Sequence, residues 1–384
     1  MKGFKKTEIG LIPDGWELVK IKDLGKVVTG TTPSTKNQEY YSGGGYEFVS
    51  PGDIGETKFI YKTEKEISAK GLEVVRPLPK NTVMVVCIGS SIGKVGLVYK
   101  NNTATNQQIN SIICNDNFNP VFVYYVMVFK TPYIRSLSTP SPVPILNKSN
   151  FEDGVIPVCK DIEEQRAIEI ILSKIQSAIE TQEKIIEDTT ELKRALMQKI
   201  FTEGLCGETP KQIKLGRLMV MNYGKGLPAK SRMQGNIPVY GSNGIVGWHN
   251  KSIINEKGII IGRKGSAGEV HYSAVPFCPI DTTYYITKDD TNLSLEYLFY
   301  LLCYAKLGKI KGDVGVPGLN REMAYKETVY YLENKKTQEE VVRMLKGIDN
   351  KITLSEKIRN SYNDLFRTLL CQLMTGQIRV KEVA

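Results

Sequence analysis

The first candidate for chemistry is a glycine-rich segment, Gly89-Ser90-Ser91-Ile92-Gly93-Lys94. A phosphate-binding P-loop needs G-x-x-x-x-G-K-[ST], because backbone amides and the lysine hold phosphates while the hydroxyl holds magnesium. Here the spacer is one residue short, and Val95 stands where the hydroxyl should be. The sequence therefore excludes a P-loop. The segment is predicted either to close a hairpin or to bring backbone close to a ligand.

No catalytic set is present elsewhere in the sequence. The two histidines, His249 and His271, have no neighbouring cluster of carboxylates or cysteines, and no G-x-S-x-G, H-E-x-x-H or G-x-G-x-x-G motif occurs. The seven cysteines are scattered and odd in number, which is neither a disulfide framework nor a zinc ribbon and indicates a reducing compartment, the cytoplasm. The start, MKGFKKTEIG, and the lack of any long apolar run predict a protein that is neither secreted nor membrane-bound.

Amide, basic and aromatic side chains cluster instead in segments predicted to be loops. Asn and Gln pair with adenine, Arg and Lys pair with guanine, and Lys also neutralises phosphate. The candidate contacts to double-stranded DNA are Lys36, Gln38, Lys94, Asn106, Gln107, Gln108 and Lys148 in the first half, and Lys230, Arg232, Ser242, Asn243, Arg263, Lys264 and Arg321 in the second. For each alone, a solvated loop side chain is the simpler interpretation. As a set, they favour duplex binding.

The charge balance favours a polyanionic partner. The chain has 51 Lys and Arg against 41 Asp and Glu, a net charge of +10 over 384 residues. Two predicted helical segments, 161–204 and 335–376, contribute −4 and +3, so a surplus of +11 lies on the rest of the chain. The predicted anion-binding surface therefore belongs to the β-rich modules and not to the helices.

The chain is a tandem duplication. Residues 83–95 align with 258–270 at an offset of 175, and Pro-Ile-Leu-Asn-Lys at 144–148 aligns with Pro-Gly-Leu-Asn-Arg at 317–321 at an offset of 173. Each half begins with short β-branched runs between turn residues and ends in one long helical pattern. The Pro-x-Leu-Asn copies precede each long helix. They either place Lys148 and Arg321 on phosphates or form a helix start with a satisfied asparagine.

Apolar residues at alternating spacings of four and three predict that the two long helices pair with each other. The central seam residues are Leu172, Ile175, Ile179, Leu345, Ile348 and Ile352, and Ile358, Leu365, Leu369 and Leu373 extend the stripe of the second helix. The predicted organisation is a first domain at 1–160, a helix at 161–204, a second domain at 205–334, a helix at 335–376 and a tail at 377–384.

The ordered motifs resemble the specificity subunits of type I restriction–modification systems. The resemblance rests on the opening Thr7-Glu8-Ile9-Gly10-x-Ile12-Pro13-x-Gly15-Trp16, on Glu163-Glu164-Gln165-Arg166, on both glycine-rich segments and on the closing LLCQLMTGQIRV. The second helix departs from the family by opening with Thr337-Gln338-Glu339-Glu340, which leaves its exact start open.

The resemblance implies an α+β fold with two β-rich target recognition domains in tandem, each followed by a long helix, the two helices forming an antiparallel coiled coil. It implies a non-catalytic chain in which each domain reads one half of a bipartite, asymmetric DNA site and the helices set the spacer. The implied partners are two modification subunits, adenine N6-methyltransferases using S-adenosylmethionine, and a restriction subunit that translocates DNA with ATP and Mg²⁺. No cofactor is expected in this chain.

Two other functions stay open on the residues alone. The chain could be a coiled-coil scaffold whose β-rich modules bind proteins, or an enzyme built around a cysteine such as Cys87 or Cys278. A helical seam built for partners also predicts self-association when the chain is alone. The recognised bases cannot be read from the loops.

Overall fold

A computed structural model describes residues 4–7, 10–55, 57–310 and 318–380. The strands are β1 (Phe4–Thr7), β2 (Gly10–Pro13), β3 (Trp16–Lys20), β4 (Gly25–Thr29), β5 (Tyr46–Val49), β6 (Phe59–Ile60), β7 (Lys65–Ile67), β8 (Val83–Val86), β9 (Val95–Val98), β10 (Ala104–Thr105), β11 (Ile109–Cys114), β12 (Val155–Cys159), β13 (Lys211–Lys214), β14 (Asn222–Tyr223), β15 (Ile237–Gly241), β16 (Gly244–His249), β17 (Gly258–Gly262), β18 (Val270–Ser273), β19 (Cys278–Pro279), β20 (Thr283–Ile286) and β21 (Thr328–Tyr331). The helices are α1 (Ala69–Glu73), α2 (Pro120–Phe129), α3 (Thr131–Ser136), α4 (Lys148–Asp153), α5 (Ile162–Thr202), α6 (Leu295–Ala305), α7 (Arg321–Lys326) and α8 (Lys335–Met374).

The chain forms two compact units. Unit 1 comprises Met1–Glu183 with Lys357–Ala384, and unit 2 comprises Lys184–Glu356. Each unit therefore holds half of α5 and half of α8. The five-segment division at 160, 204, 334 and 376 stays a prediction about domains. Four of the residues it assigns to the tail, 381–384, lie outside the described residues, as do Glu8 and Ile9 of the opening motif.

Unit 1 is built on a five-stranded sheet in the order β4-β11-β8-β9-β6. Its central strand β8 is buried on both faces, because successive side chains of a strand point to opposite sides. Val83 and Val85 join the core that contains α2, whereas Met84 and Val86 join a second core on the other face. A continuous β-branched run thus forms a strand sandwiched between two apolar layers.

Unit 2 repeats this plan with a four-stranded sheet in the order β14-β20-β17-β18. Ile259 and Ile261 of β17 pack in the core with α6, and Ile260 packs on the opposite face with Tyr240. Unit 2 also contains a three-stranded sheet in the order β16-β15-β19, in which β15 and β19 are parallel.

The β-rich stretches predicted at the start of each half, roughly 17–155 and 212–334, each contain a buried helix. Residues 120–129, PVFVYYVMVF, have a strand-like composition but form α2. Asn119 caps this helix by accepting from the backbone of Val121 and Phe122, and Pro120 occupies the first helical position, where no backbone donor is needed. The capping signal therefore overrides the β propensity of the run.

The two long helices run antiparallel within each unit, as predicted. In unit 1, Arg379 beyond α8 makes a double contact of 2.8 Å with the carboxylate of Glu164 near the start of α5. In unit 2, Lys193 near the end of α5 lies 2.6 Å from Asp349 in the first half of α8. The core residues agree in both units, since Leu172 shares a cluster with Leu373 in unit 1 and Ile200 shares one with Leu345 in unit 2.

The proposed seam is buried for most of its length. Leu172, Ile179 and Leu345 are buried, and Ile175, Ile348 and Ile352 are half-buried. The prediction that Leu365 continues the stripe is wrong, because this side chain is 43% exposed and Phe366 packs instead. From Ile352 onward, alternating steps of three and four residues reach Ser355 and Phe366. They do not reach the neighbouring apolar residues that the sequence suggests.

Equivalent hydrogen bonds recur in the two repeats. Tyr125 Oη donates to Gln176 Oε1 over 3.0 Å, and Tyr300 Oη donates to Asp349 Oδ2 over 2.8 Å. The tyrosines are 175 residues apart and their partners 173, the offsets of the sequence repeat. Each tyrosine therefore fastens the buried helix of its module to the same position of a long helix.

The two long helices also start in the same way. Gln165 Nε2 donates to the carbonyl of Cys159 over 2.9 Å, and its repeat equivalent Gln338 donates to the carbonyl of Leu332 over 2.7 Å. The helices begin at Ile162 and Lys335, which are 173 residues apart. The unusual opening of the second helix therefore does not move its start.

The Pro-x-Leu-Asn copies form a helix start, one of the two predicted alternatives, but the helix is short. Asn147 caps α4 and Asn320 caps α7, each accepting from backbone amides of the first turn. A strand, β12 or β21, then separates the short helix from the long one. The copies therefore precede the long helices, as predicted, without leading directly into them. Pro317 of the second copy lies outside the described residues.

Candidate nucleic-acid interface

The glycine-rich segments are turns that close β hairpins, one of the two predicted alternatives. Strand β8 pairs antiparallel with β9, and β17 pairs antiparallel with β18. Gly89 and Gly93 have φ of 88° and 86°, which L side chains rarely adopt. A Cβ on Gly93 would also lie 2.8 Å from Thr131. Glycine is therefore required by the turn itself, and Lys94 beside it is exposed.

The amide-rich loop of unit 1 lies against this hairpin. The amide of Cys87 donates to the carbonyl of Gln108 over 2.7 Å. Asn106 Nδ2 donates to Gln108 Oε1 over 3.1 Å, and Thr32 Oγ1 donates to Gln107 Oε1 over 2.5 Å. Asn106 and Gln108 thus hydrogen bond to each other, and the exposed Gln107 keeps its amide nitrogen for a partner.

Three other predicted DNA-binding residues of unit 1, Lys36, Gln38 and Lys148, are not linked to this loop by any interaction within the described residues. Lys36 and Gln38 are exposed in the segment between β4 and β5. Lys148, at the start of α4, is 3.4 Å from Glu152 one turn later. The structure gives these three residues no common site, and their DNA contacts stay a prediction.

In unit 2 four of the predicted residues converge on one open concavity of about 500 Å³. Its lining residues include Arg232, Ser242, Asn243 and Lys264. Ser242 directly follows β15, which pairs parallel with β19. This pairing brings Ser242 to the loop that precedes β20. There Ser242 Oγ donates to the carbonyl of Thr282 over 2.7 Å.

The two charged groups of this concavity differ in freedom. Arg232 is held by its Nη1, which donates to the carbonyl of Val246 over 2.8 Å, and by its Nε, which donates to Leu227. Lys264 is exposed on the glycine-rich turn. A fixed guanidinium suits directional pairing, and a free ammonium suits phosphate neutralisation. Lys230 is exposed in the preceding loop and does not line the concavity.

Arg263 and Arg321 lie on an aromatic cluster beside it. The Cζ atoms of both arginines are 5.0 Å from the ring centroid of Tyr223, within the range of cation–π attraction. Tyr223 is half exposed and stands 5.1 Å from the ring of Tyr284. Burial raises the pKa of Tyr284, so this ring stays neutral at physiological pH.

The hydrogen bonds correct the alignment of the two turns by one residue. Leu146 donates to the carbonyl of Cys87, and its equivalent Leu319 donates to the carbonyl of Arg263. The expectation that Arg263 and Lys264 replace Ile88 and Gly89 is therefore wrong, since Arg263 occupies the position of Cys87. The second turn is one residue shorter, and a basic pair stands where unit 1 has a buried thiol and an isoleucine.

Sequence reasoning missed Tyr223 as a member of this interface. Its two arginine neighbours are 40 and 98 residues away in sequence and reach it through the sheet and the start of α7. The available signal was the aromatic residue in a predicted loop between Asn222 and Gly224. Only the pairing of β14 with β20 places it beside the end of β17.

The two cysteines considered as nucleophiles, Cys87 and Cys278, lack the properties of a reactive thiol. Burial raises the pKa of Cys87 to about 12 and also raises that of Cys278, whereas a reactive cysteine needs a lowered pKa. Within the described ranges, no group of three or more potential metal ligands is found. Nor does any helix in the described part of the chain have the length and apolarity to cross a membrane.

Two repeated cores, each carrying half of both long helices and polar or basic side chains at its turns, define a duplicated two-module binding protein. The family described as type I restriction modification DNA specificity domain matches residues 13–190 and 211–362. Because these matches cover most of the chain, the chain belongs to this family.

Individual relatives agree along the full length. The chain is 27% identical to the specificity subunit of the type I restriction enzyme MjaIX from Methanocaldococcus jannaschii, over 99% of this chain and 97% of the relative. Its fold is similar to the crystal structure of a type I restriction–modification S subunit from M. genitalium, with a TM-score of 0.72 and 21% identity, over 93% and 96% of the two chains. A chain from a structure on complex assembly of the type I system matches with a TM-score of 0.54 and 14% identity, over 96% and 99%.

Proposed function

We propose that this chain is a DNA-reading specificity subunit in which each module reads one half of a bipartite, asymmetric site. The observation that carries the proposal is the convergence of Arg232, Ser242, Asn243 and Lys264 on one concavity of unit 2. These groups combine fixed donors, an amide and a free cation, the types that pair with base edges and phosphates. The different side chains at the turn of unit 1 support two unlike half-sites.

The long helices act as the spacer between the half-sites. At 1.5 Å per residue, the 41 residues of α5 and the 40 of α8 correspond to about 60 Å each. Half-sites one helical turn of DNA apart need about 34–36 Å between reading elements.

The helices also dock two modification subunits, and a restriction subunit joins the assembly. Leu192 and its repeat equivalent Leu365 are exposed by 58% and 43%, so apolar surface recurs on both helices. This exposure also favours self-association of the chain alone. Catalysis, S-adenosylmethionine, ATP and Mg²⁺ belong to the partner subunits in this proposal.

Adenine-methylation mapping in cells that carry this chain with its modification partner tests the proposal. A two-part motif with a fixed gap is expected. A continuous motif would leave one module without a reading role. A soluble complex that methylates nothing would overturn the DNA-reading function in favour of a protein scaffold.

Insertion of one heptad into each helix, after Glu183 and after Glu356, tests the spacer. These positions are the junctions of the two units, so neither core is interrupted. Seven residues add about 10.5 Å, or about three base pairs at 3.4 Å each. A longer gap with unchanged half-sites is expected, and an unchanged gap refutes the spacer role. A heptad in one helix only is the matched control, because it breaks the pairing register.

A further inference from the structure

Two arginines of unit 2 share one exposed tyrosine ring. The guanidinium carbons of Arg263 and Arg321 each lie 5.0 Å from the centroid of Tyr223. Arg263 also lies 6.0 Å from the ring of Tyr284, whose hydroxyl donates to the carbonyl of Leu319 over 3.1 Å. The aromatic pair is thus anchored to the segment that leads into α7, and each arginine is held on it.

The arginines keep several donors without a protein acceptor. Arg263 Nη1 donates to the carbonyl of Asp281 over 3.1 Å, and Arg321 Nη1 donates to the carbonyl of Met221 over 3.3 Å. Arg321 Nε also meets the exposed carboxylate of Glu322 at 3.3 Å. Within the described part of the chain, Nη2 of both arginines and Nε of Arg263 make no hydrogen bond. A guanidinium has five N–H donors, so more than half of the capacity of Arg263 is available.

Two positive groups lie together on this one ring. Both cations are fixed to one ring, so they are at most about 10 Å apart, comparable to the Debye length at physiological salt. Within the described residues, the carboxylate of Glu322 is the one acid that meets either arginine in a salt bridge. An external group that presents acceptors to both cations would use their remaining N–H donors.

We infer that Tyr223 holds Arg263 and Arg321 as a guanine-reading pair, so that the half-site bound by unit 2 contains guanine read by these two side chains. The inference rests on the proposed function. A fork of N–H donors matches the O6 and N7 acceptors of guanine in the major groove. Contact with the tyrosine ring restrains each guanidinium before binding, which lowers the conformational entropy lost on pairing.

Fixed geometry distinguishes base reading from phosphate binding at this position. Phosphate contacts tolerate flexible point charges, and the exposed lysines Lys225, Lys230 and Lys264 of the same unit supply them. Arg263 and Arg321 are instead half-buried and tied by stacking and backbone hydrogen bonds. Arg263 is adjacent to Lys264 in the chain, so base reading and phosphate neutralisation are performed by neighbouring residues.

The test uses the full chain with its modification partner and compares the methylated motifs of single variants. Arg263→Lys and Arg321→Lys keep the charge and lose the fork, and Tyr223→Leu removes the ring whereas Tyr223→Phe keeps it. Preference for guanine at one position of one half-site is expected to fall on the order of tenfold for the lysine variants. Tyr223→Leu weakens the same preference and Tyr223→Phe restores it. Arg217→Lys, at an exposed arginine of the same unit, is the matched control.

Different failures have different meanings. A bipartite motif that contains no guanine, or that keeps its guanine preference in both lysine variants, overturns the inference and leaves the proposed function intact. Equal weakening at every sequence in Arg263→Lys and Arg321→Lys assigns the arginines to phosphates and also overturns it. Absence of any bipartite motif from the wild-type complex overturns the proposed function together with the inference.

Discussion

Two leucines of α8 look alike in sequence and differ in the structure. The sequence predicts that Leu365 and Leu373 both continue the apolar stripe. In the structure Leu373 is 2% exposed in the main core of unit 1, whereas Leu365 is 43% exposed. Leu373→Ala removes a fully buried side chain and is expected to cost about 2–5 kcal/mol of unfolding free energy, including the cavity it leaves. Leu365→Ala is expected to cost less than about 1 kcal/mol, because much of that side chain is already solvated.

The chain provides a reporter for this comparison. It has two tryptophans, and Trp16 is buried in the same core as Leu373 while Trp248 is 52% exposed in unit 2. In a Trp248→Phe background, urea unfolding followed by Trp16 fluorescence reports on unit 1. With a slope of about 2 kcal/mol per molar urea, a loss of about 3 kcal/mol moves the midpoint by about 1.5 M. Equal midpoint shifts for the two leucines would refute the assignment of the seam and indicate that Leu365 is covered in solution.

Three further outcomes follow from buried charges and thiols. Arg379→Met leaves the buried carboxylate of Glu164 unpaired and is expected to destabilise unit 1 by about 2–3 kcal/mol, whereas Arg166→Met at an exposed i,i+3 pair changes stability by less than about 0.5 kcal/mol, both measured by the same urea assay. Burial raises the pKa of Cys87 to about 12, so its thiol ionises more readily in the unfolded chain than in the folded protein. Its stabilising contribution is therefore full below about pH 8.5 and is lost as pH rises toward 12. Cys87→Ala should flatten this fall of stability with pH, and an unchanged slope would contradict the prediction. Iodoacetamide at neutral pH should label the exposed Cys206 in the native protein and Cys87 only after unfolding, which mass spectrometry of the peptides would decide.

Periodicity and repetition predicted the framework of the fold. The offsets of the repeat and the spacing of leucines and isoleucines located both long helices to within two residues, and the resemblance to the family implied their antiparallel packing. The register failed after Ile352, because the regular stripe passes through the polar Ser355, which is 5% exposed. A prediction from hydrophobicity alone places Ile358 and Leu365 in the stripe instead.

The interface was harder to predict, because its members meet through strand pairing. Ser242 reaches Thr282 only because β15 and β19 are parallel. A parallel pairing that involves only two residues of each strand has no local sequence pattern that predicts it. Asn106 and Gln108 show a second role that residue type does not reveal. Their side chains suit base reading by type, yet they hydrogen bond to each other over 3.1 Å and so shape the loop.

The repeat separates what the modules share from what they do not. Tyr125 and Tyr300 make the same bond to a long helix, and each has a lysine over its ring, at 5.7 Å and 5.5 Å. The lysines have different origins, however, since Lys58 precedes β6 of the module and Lys193 belongs to α5.

The attachment of module to helix is thus the same in both units, although one of its partners has been replaced. At the turns the opposite holds, because Arg263 stands where unit 1 has Cys87 and no equivalent of the Tyr223 cluster is found in the described part of unit 1. Variation at the turns changes what each module can bind without changing how it sits on its helix. A protein that reads two unlike half-sites at a fixed separation needs this division.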